Sequence, residues 1–259
     1  MVDAGVDMVA IRSQREVERI EESSQIVAET LDLLKDKVTP GMSGRELDRI
    51  AEEYILSRGA QPSFKGYLGY PATLCISIND AVVHGIPDET PFRDGDIVSI
   101  DCGAFKYGYH GDHALTFLVG NVSPEVKNLV KTTRESLYIG IEQAKTGNHV
   151  SDIGHAIQSF VEEKGYNVVR ELVGHGIGRN LHEDPQIPNY GEPGRGMKLK
   201  SGMCIAIEPM INLGGKEIYT KPDGWTICTR DGKPSAHFEH TVVVSEEGGN
   251  ILSNGTAYG

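Results

Sequence analysis

Apolar residues fall at helical spacing in some stretches of this chain and at alternate positions in others. Val17, Ile20, Val27, Leu31 and Leu34 make one apolar stripe behind Ser13-Gln14-Arg15-Glu16, a capping-box pattern, and predict a helix to about Lys37. Pro40-Gly41 breaks it. Ser43-Gly44-Arg45-Glu46 is a second capping box, opening a helix with Leu47, Ile50, Ala51, Tyr54 and Ile55 inward and Gly59 at its end. Ser123-Pro124 supplies a cap and a first-turn proline for a third helix, to about Lys145. Pro62–Tyr70 (PSFKGYLGY) reads as an aromatic, glycine-rich loop. Leu74–Ile78 and a short run at Val82–Val83 read as strands leading into His84-Gly85-Ile86-Pro87.

The most informative alternation lies in Gly95–Phe117 (GDIVSIDCGAFKYGYHGDHALTF). Ile97–Asp101 and His110–Thr116 predict two strands, with Lys106, Tyr107 and Gly108 as the turn. A hairpin symmetric about Lys106–Tyr107 sets Asp101 directly opposite Asp112, and alternation projects both carboxylates from one face. Like charges so close repel, more so over an apolar core, and a divalent cation with oxygen ligands relieves the repulsion. Solvated charges on an exposed strand are the competing reading of this hairpin taken alone.

The chain repeats the arrangement. Gly202–Glu208 (GMCIAIE) matches Gly95–Asp101 (GDIVSID), and His237-Phe238-Glu239-His240 matches His110-Gly111-Asp112-His113. The second helix is copied too. Gly41, Leu47, Ile50, Ala51, Tyr54, Ile55 and Gly59 correspond to Gly147, Ile153, Ala156, Ile157, Phe160, Val161 and Gly165, a constant offset of 106 residues. A period that long is no solenoid. It predicts a pseudo-symmetric α/β domain, with two curved sheet halves joined at the centre and helices outside. Asp101 and Asp112 from one half then meet Glu208 and Glu239 from the other.

Length and charge narrow the classes. The chain has 259 residues, enough for one large domain or two joined halves. We expect a leading segment at 1–12, loosely held, and one domain over 13–259 with repeats at about 13–120 and 121–250. A net charge of −12 and no basic run disfavour nucleic-acid binding. Cys75, Cys102, Cys204 and Cys228 form no CxxC pair and read as reduced thiols of a cytoplasmic protein. No secretory leader and no run of about 18 apolar residues is present, so membrane insertion is not expected.

Glu171-Leu-Val-Gly174-His175-Gly-Ile-Gly178 is glycine-rich, but no Lys-Ser/Thr follows, so it is no phosphate loop. Its glycines leave the His175 imidazole unobstructed. An isolated histidine is more often a satisfied structural residue; beside four converging carboxylates it completes a ligand set for two divalent metals. Such ligands suit Mn, Fe(II), Co or Zn rather than copper. His84 and His182 remain for substrate.

The ordered set His84-Gly-Ile-Pro, Asp101, His110-Gly-Asp112, Gly174-His175-Gly-Ile-Gly, His182-Glu183, Ile207-Glu208-Pro209-Met210 and Phe238-Glu239-His240-Thr241 closely resembles methionine aminopeptidases of type I, of the M24 metallopeptidase superfamily. The resemblance spans about Ile11 to Val244. Only 33 positions separate His175 from Glu208, which leaves no room for the helical insertion of type II members. It implies the pita-bread fold and a dinuclear metallo-exopeptidase that removes N-terminal methionine from nascent chains, favouring small second residues. Asp101 would chelate one metal, His175 and Glu208 the other, and Asp112 and Glu239 would bridge. Glu208 would also handle the proton of the attacking water. His84 would contact the substrate, and His182 would hydrogen-bond the scissile carbonyl. Tyr67, Tyr70, Cys75 and Trp225, with Phe64 and Leu181 nearby, would hold the methionine side chain. Leu181 departs from many relatives, which carry an aromatic residue there.

The resemblance also implies a cytoplasmic monomer, with transient ribosome association expected from the role. A seryl or cysteinyl mechanism is disfavoured, since no GxSxG occurs and Cys102 and Cys204 alternate out of phase with the ligands. The alternatives are a catalytically silent relative that uses the fold for binding, and a proline-directed peptidase of the same superfamily, whose additional N-terminal domain this chain is too short to carry.

Overall fold

A computed structural model describes residues 9–256. The helices form where side-chain pattern and caps coincide. Helix α1 (Gln14–Lys35) begins at the Ser13/Glu16 capping box, and α2 (Gly44–Ser57) begins where the Ser43 hydroxyl accepts the Glu46 N–H. In α3 (Pro124–Glu142) the Ser123 hydroxyl accepts the Val126 N–H. Helix α4 (Val150–Glu163) opens on a His149/Asp152 box, and each of its bounds lies 106 residues after that of α2. The apolar stripes are buried as the periodicity predicts, with Leu47, Ala51 and Ile55 of α2 matched by Ile153, Ile157 and Val161 of α4. Ile50 and Tyr54, read as inward, are half-buried at the flank of that stripe, and so is Val17 in the stripe of α1.

The main sheet is antiparallel throughout. Its order is Gln61–Pro62, Ile97–Lys106, Tyr109–Leu118, Glu239–Val244, Cys204–Ile207, Gly174–Gly176, Glu183–Ile187. Leu74–Ile78 also pairs with Ile97–Lys106, and Gly249–Ile251 with Glu239–Val244. The two repeats meet where Glu239 lies opposite Ala114 and His240 opposite His113. Helices α1 and α2 pack together, as do α3 and α4, and α1 lies across the first hairpin. This is the pita-bread architecture.

One expectation is corrected. The hairpin turns on Tyr107-Gly108 alone, both with positive φ (52° and 84°), as a two-residue hairpin turn demands. Its register pairs Asp101 with Ala114 and Asp112 with Gly103, so the two aspartates are diagonal neighbours rather than directly opposite. The error is two positions, an even number, so both carboxylates keep the same face.

Gly111 explains how closely α1 can approach. A Cβ there would fall 2.4 Å from the Ser24 nitrogen in α1, a backbone clash that no rotamer relieves. Gly111→Ala should lower stability by about 1–3 kcal/mol, read as the midpoint of urea unfolding. An unchanged midpoint would mean that α1 moves away freely.

Cys75, Cys102, Cys204 and Cys228 are free and buried. Among the described residues, no helix is long and apolar enough to cross a membrane. Arg12, just before α1, is held by Glu183 and by its own N–H to the Gly202 carbonyl at 2.9 Å.

Candidate metal centre and active site

One cavity of about 320 Å³ gathers every residue singled out for chemistry or substrate contact. Asp101, Asp112, His175, Glu208 and Glu239 line one part; Phe64, Tyr67, Tyr70, Cys75, Leu181 and Trp225 line another, with His84 and His182 also on the wall. The acids come from four neighbouring strands. Asp101 and Asp112 lie on the hairpin, Glu239 opens its strand, and Glu208 follows Ile207 at the end of its own. Crosslinks fix these strands behind the site. The Thr241 hydroxyl donates to the Asp112 carbonyl (2.8 Å) and accepts the Asp112 N–H (3.0 Å), and Asn189 Nδ2 donates to the Glu208 carbonyl (2.9 Å).

The protein alone leaves this cluster poorly satisfied. Asp101 Oδ1, Glu239 Oε1 and His237 Nε2 are buried without hydrogen-bond partners. Burial raises Asp101 to about 7. Burial pushes Asp112 well up, then the charges of Glu239 and Asp101; burial does the same for Glu208 and Glu239, with the neighbouring acids adding to it. His175 is held down to about 3 by burial, so it is a neutral imidazole. Its Nδ1 lies 2.8 Å from the Gly176 carbonyl and donates to it, so Nε2 presents a lone pair 3.7 Å from Glu208 Oε1. A lone pair facing a carboxylate oxygen across that gap suits a cation between them. Asp112, His175 and Glu239 bring ligand atoms close enough to hold one ion, and so do Glu208, His237 and Glu239. The donor set therefore fits hard or borderline divalent metals.

The remaining walls are equally explicable. His84 has φ of +59°, a left-handed conformation uncommon for a side-chain-bearing residue. Its neighbour fixes it there. Gly85 presses so tightly on Ile76 that a Cβ would meet the Ile76 carbonyl oxygen at 2.1 Å, and its own carbonyl accepts the Tyr70 hydroxyl at 2.9 Å. With that hydroxyl occupied, Tyr70 offers the cavity its ring, packed edge-on to Trp225 at 5.1 Å. His182, at the exposed rim, has Nδ1 2.8 Å from the Tyr67 hydroxyl and its ring 4.3 Å from that of His175.

Sequence reasoning missed some of the lining. Leu68, Val83, Glu171, Leu172, Val173 and Met210 also face the cavity. Leu172, Val173 and Met210 flank Gly174 and Glu208 in chain order, which was their only signal. His237 was noted as part of a repeated tetrapeptide and given no task. Cys102 and Cys204 do not line the cavity, as their phase required.

Comparison with known proteins decides the family. The model for "Metallopeptidase family M24" matches residues 18–246. A methionine aminopeptidase of Clostridium perfringens is 52% identical over 246 residues, 95% of this chain and 99% of that protein. This chain belongs to the M24 metallopeptidases, among the methionine aminopeptidases. A crystal structure of methionine aminopeptidase from Thermotoga maritima superposes with a TM-score of 0.94 at 44% identity, covering 95% of this chain and 100% of that one. A prolidase from Pyrococcus horikoshii OT3 shares the fold alone (TM-score 0.79, 24% identity), and the match covers 96% of this M24 chain but 65% of the prolidase.

Proposed function

We propose that this chain removes methionine from the N-termini of nascent proteins and peptides, using two divalent ions held by Asp101, Asp112, His175, Glu208 and Glu239. One observation carries the reading: buried carboxylates with unpartnered oxygens and a lone-pair imidazole share a single cavity with a wall of aromatic and apolar side chains. The acids suit cations and a free α-amine, and the rings suit an unbranched thioether. When bound, such ions supply Lewis acidity toward a water and the scissile carbonyl and a seat for the amine.

The chain's own residues do the rest. Glu208 accepts the water's proton and returns it to the leaving amine. The Tyr67 hydroxyl donates to His182 Nδ1, which leaves the proton on Nε2 for the developing oxyanion. His84 is held rigidly by Gly85 toward the leaving-group side. Phe64, Tyr67, Tyr70, Cys75, Leu181 and Trp225 receive the methionine side chain, and the confined space favours small second residues. We place this activity in the cytoplasm, in a monomer that meets its substrates at the ribosome. Mn, Fe(II), Co and Zn all suit the donors.

Met-Ala-Ser and Ala-Pro peptides, given to metal-stripped protein re-supplied with each of these metals in turn, test the reading. Cleavage of the first supports it. Preference for the second favours the proline-directed alternative, and inertness with all metals a silent binding protein. His182→Ala should lower kcat by about 10²–10³ with little change in KM, the loss expected for one oxyanion donor. Raised KM at unchanged kcat would instead make His182 a binding residue.

A further inference from the structure

We propose that His237 is a positioning residue that orients the Glu208 carboxylate with an Nε2–H directed at Oε2 across a gap slightly longer than a hydrogen bond. The inference rests on the peptidase reading for what Glu208 does, but its evidence is separate. His237 is 1% exposed, and its Nε2 has no partner. That atom lies 3.7 Å from Glu208 Oε2, while His175 Nε2 lies 3.7 Å from Glu208 Oε1. Glu208 is thus bracketed by two imidazoles, one for each oxygen.

The two rings are fitted for different duties. His175 spends its proton on the Gly176 carbonyl at Nδ1 and turns a lone pair to the cavity. His237 is anchored by its backbone instead. Its N–H donates to the Thr116 hydroxyl (3.0 Å), and that hydroxyl donates to its carbonyl (2.7 Å). It also pairs across the strand with Met210, two residues beyond Glu208, so its ring is fixed relative to the carboxylate. A carboxylate with an unheld oxygen is free to swing about its last torsion, since that torsion is broad. A donor facing Oε2 restrains the swing and leaves Oε1 on the His175 side.

Direct ligation of a cation by His237, with Glu208 and Glu239, is the competing role. It is less economical, because it demands an ion on Oε2 with neither His175 nor an acid of the first repeat. The two roles separate by chemistry. A glutamine amide reproduces an N–H donor at similar reach, and a phenylalanine keeps the ring without any donor.

His237→Phe and His237→Gln are to be compared with wild type in two measurements: Met-Ala-Ser kinetics, and calorimetric titration of manganese into the metal-stripped proteins. We expect His237→Phe to lose about 10–100-fold in kcat and in metal affinity, as for other partners that orient a ligand, with KM within about threefold. His237→Gln should recover to within about fivefold of wild type in both. A Phe variant equal to wild type, or a Gln variant as impaired as Phe, overturns the proposal. Should the Phe variant not fold, the ¹⁵N spectrum of zinc-loaded wild type decides. A proton on His237 Nε2 supports the positioning role, and a metal-bound shift at that nitrogen overturns it. Wild type inert toward the peptide would strike the peptidase reading, and the titration and spectrum would still judge His237.

Discussion

Glu208→Gln should cost about 10²–10⁴ in kcat, the range for losing a positioned general base, while the fold survives. The amide matches the carboxylate in size and can neither take nor return a proton. Its backbone anchor to Asn189 does not involve the side chain, and the Cys204–Ile207 strand that delivers it is buried in the sheet. Removing a charge that burial and the neighbouring Asp101 and Asp112 disfavour should leave the metal-free variant at least as stable as wild type at neutral pH. Kinetics on Met-Ala-Ser and a thermal melt of the metal-free protein check both halves. A wild-type rate would remove Glu208 from proton transfer. A large fall in melting temperature would show that the loss came through structure.

Much of this was legible because the chain states its plan twice. The GDIVSID and GMCIAIE runs end in carboxylates that do reach one cavity, and the offset between α2 and α4 is the sequence offset unchanged. Face could be read from alternation, which survives a register error of two. Register itself could not. Both Tyr107 and Gly108 take positive φ, and a turn centred one residue later shifts every cross-strand pair by two. The missed lining had a different cause. Val83, Leu172, Val173 and Met210 are ordinary apolar residues, and nothing local distinguishes a cavity wall from a core. His237 was hidden by its environment: its meaning comes from Glu208, 29 positions earlier, and from the sheet of Met210 that folds it back.

Stripping the metal should abolish cleavage and make stability fall as pH rises, the reverse of common acid denaturation. The sign follows from the acids. Asp101, Asp112, Glu208 and Glu239 all have folded-state pKa values raised by burial, Asp101 to about 7. Between the unfolded and the folded pKa, the native state binds more protons than the unfolded chain. The stability these protonated acids contribute is therefore complete below about pH 4 and is lost as pH climbs through the folded values. Each unit by which a carboxyl is raised corresponds to about 1.4 kcal/mol, a fall of roughly 3–5 °C in melting temperature for a chain of this size. Divalent metal competes with those protons, so its stabilising effect should be small near pH 5 and largest near pH 8. Melts of chelated protein at several pH values, with and without manganese, measure this directly. A metal-free protein that gained stability between about pH 5 and pH 8 would show that these carboxylates are satisfied without a cation, and the donor set would then not be a metal centre.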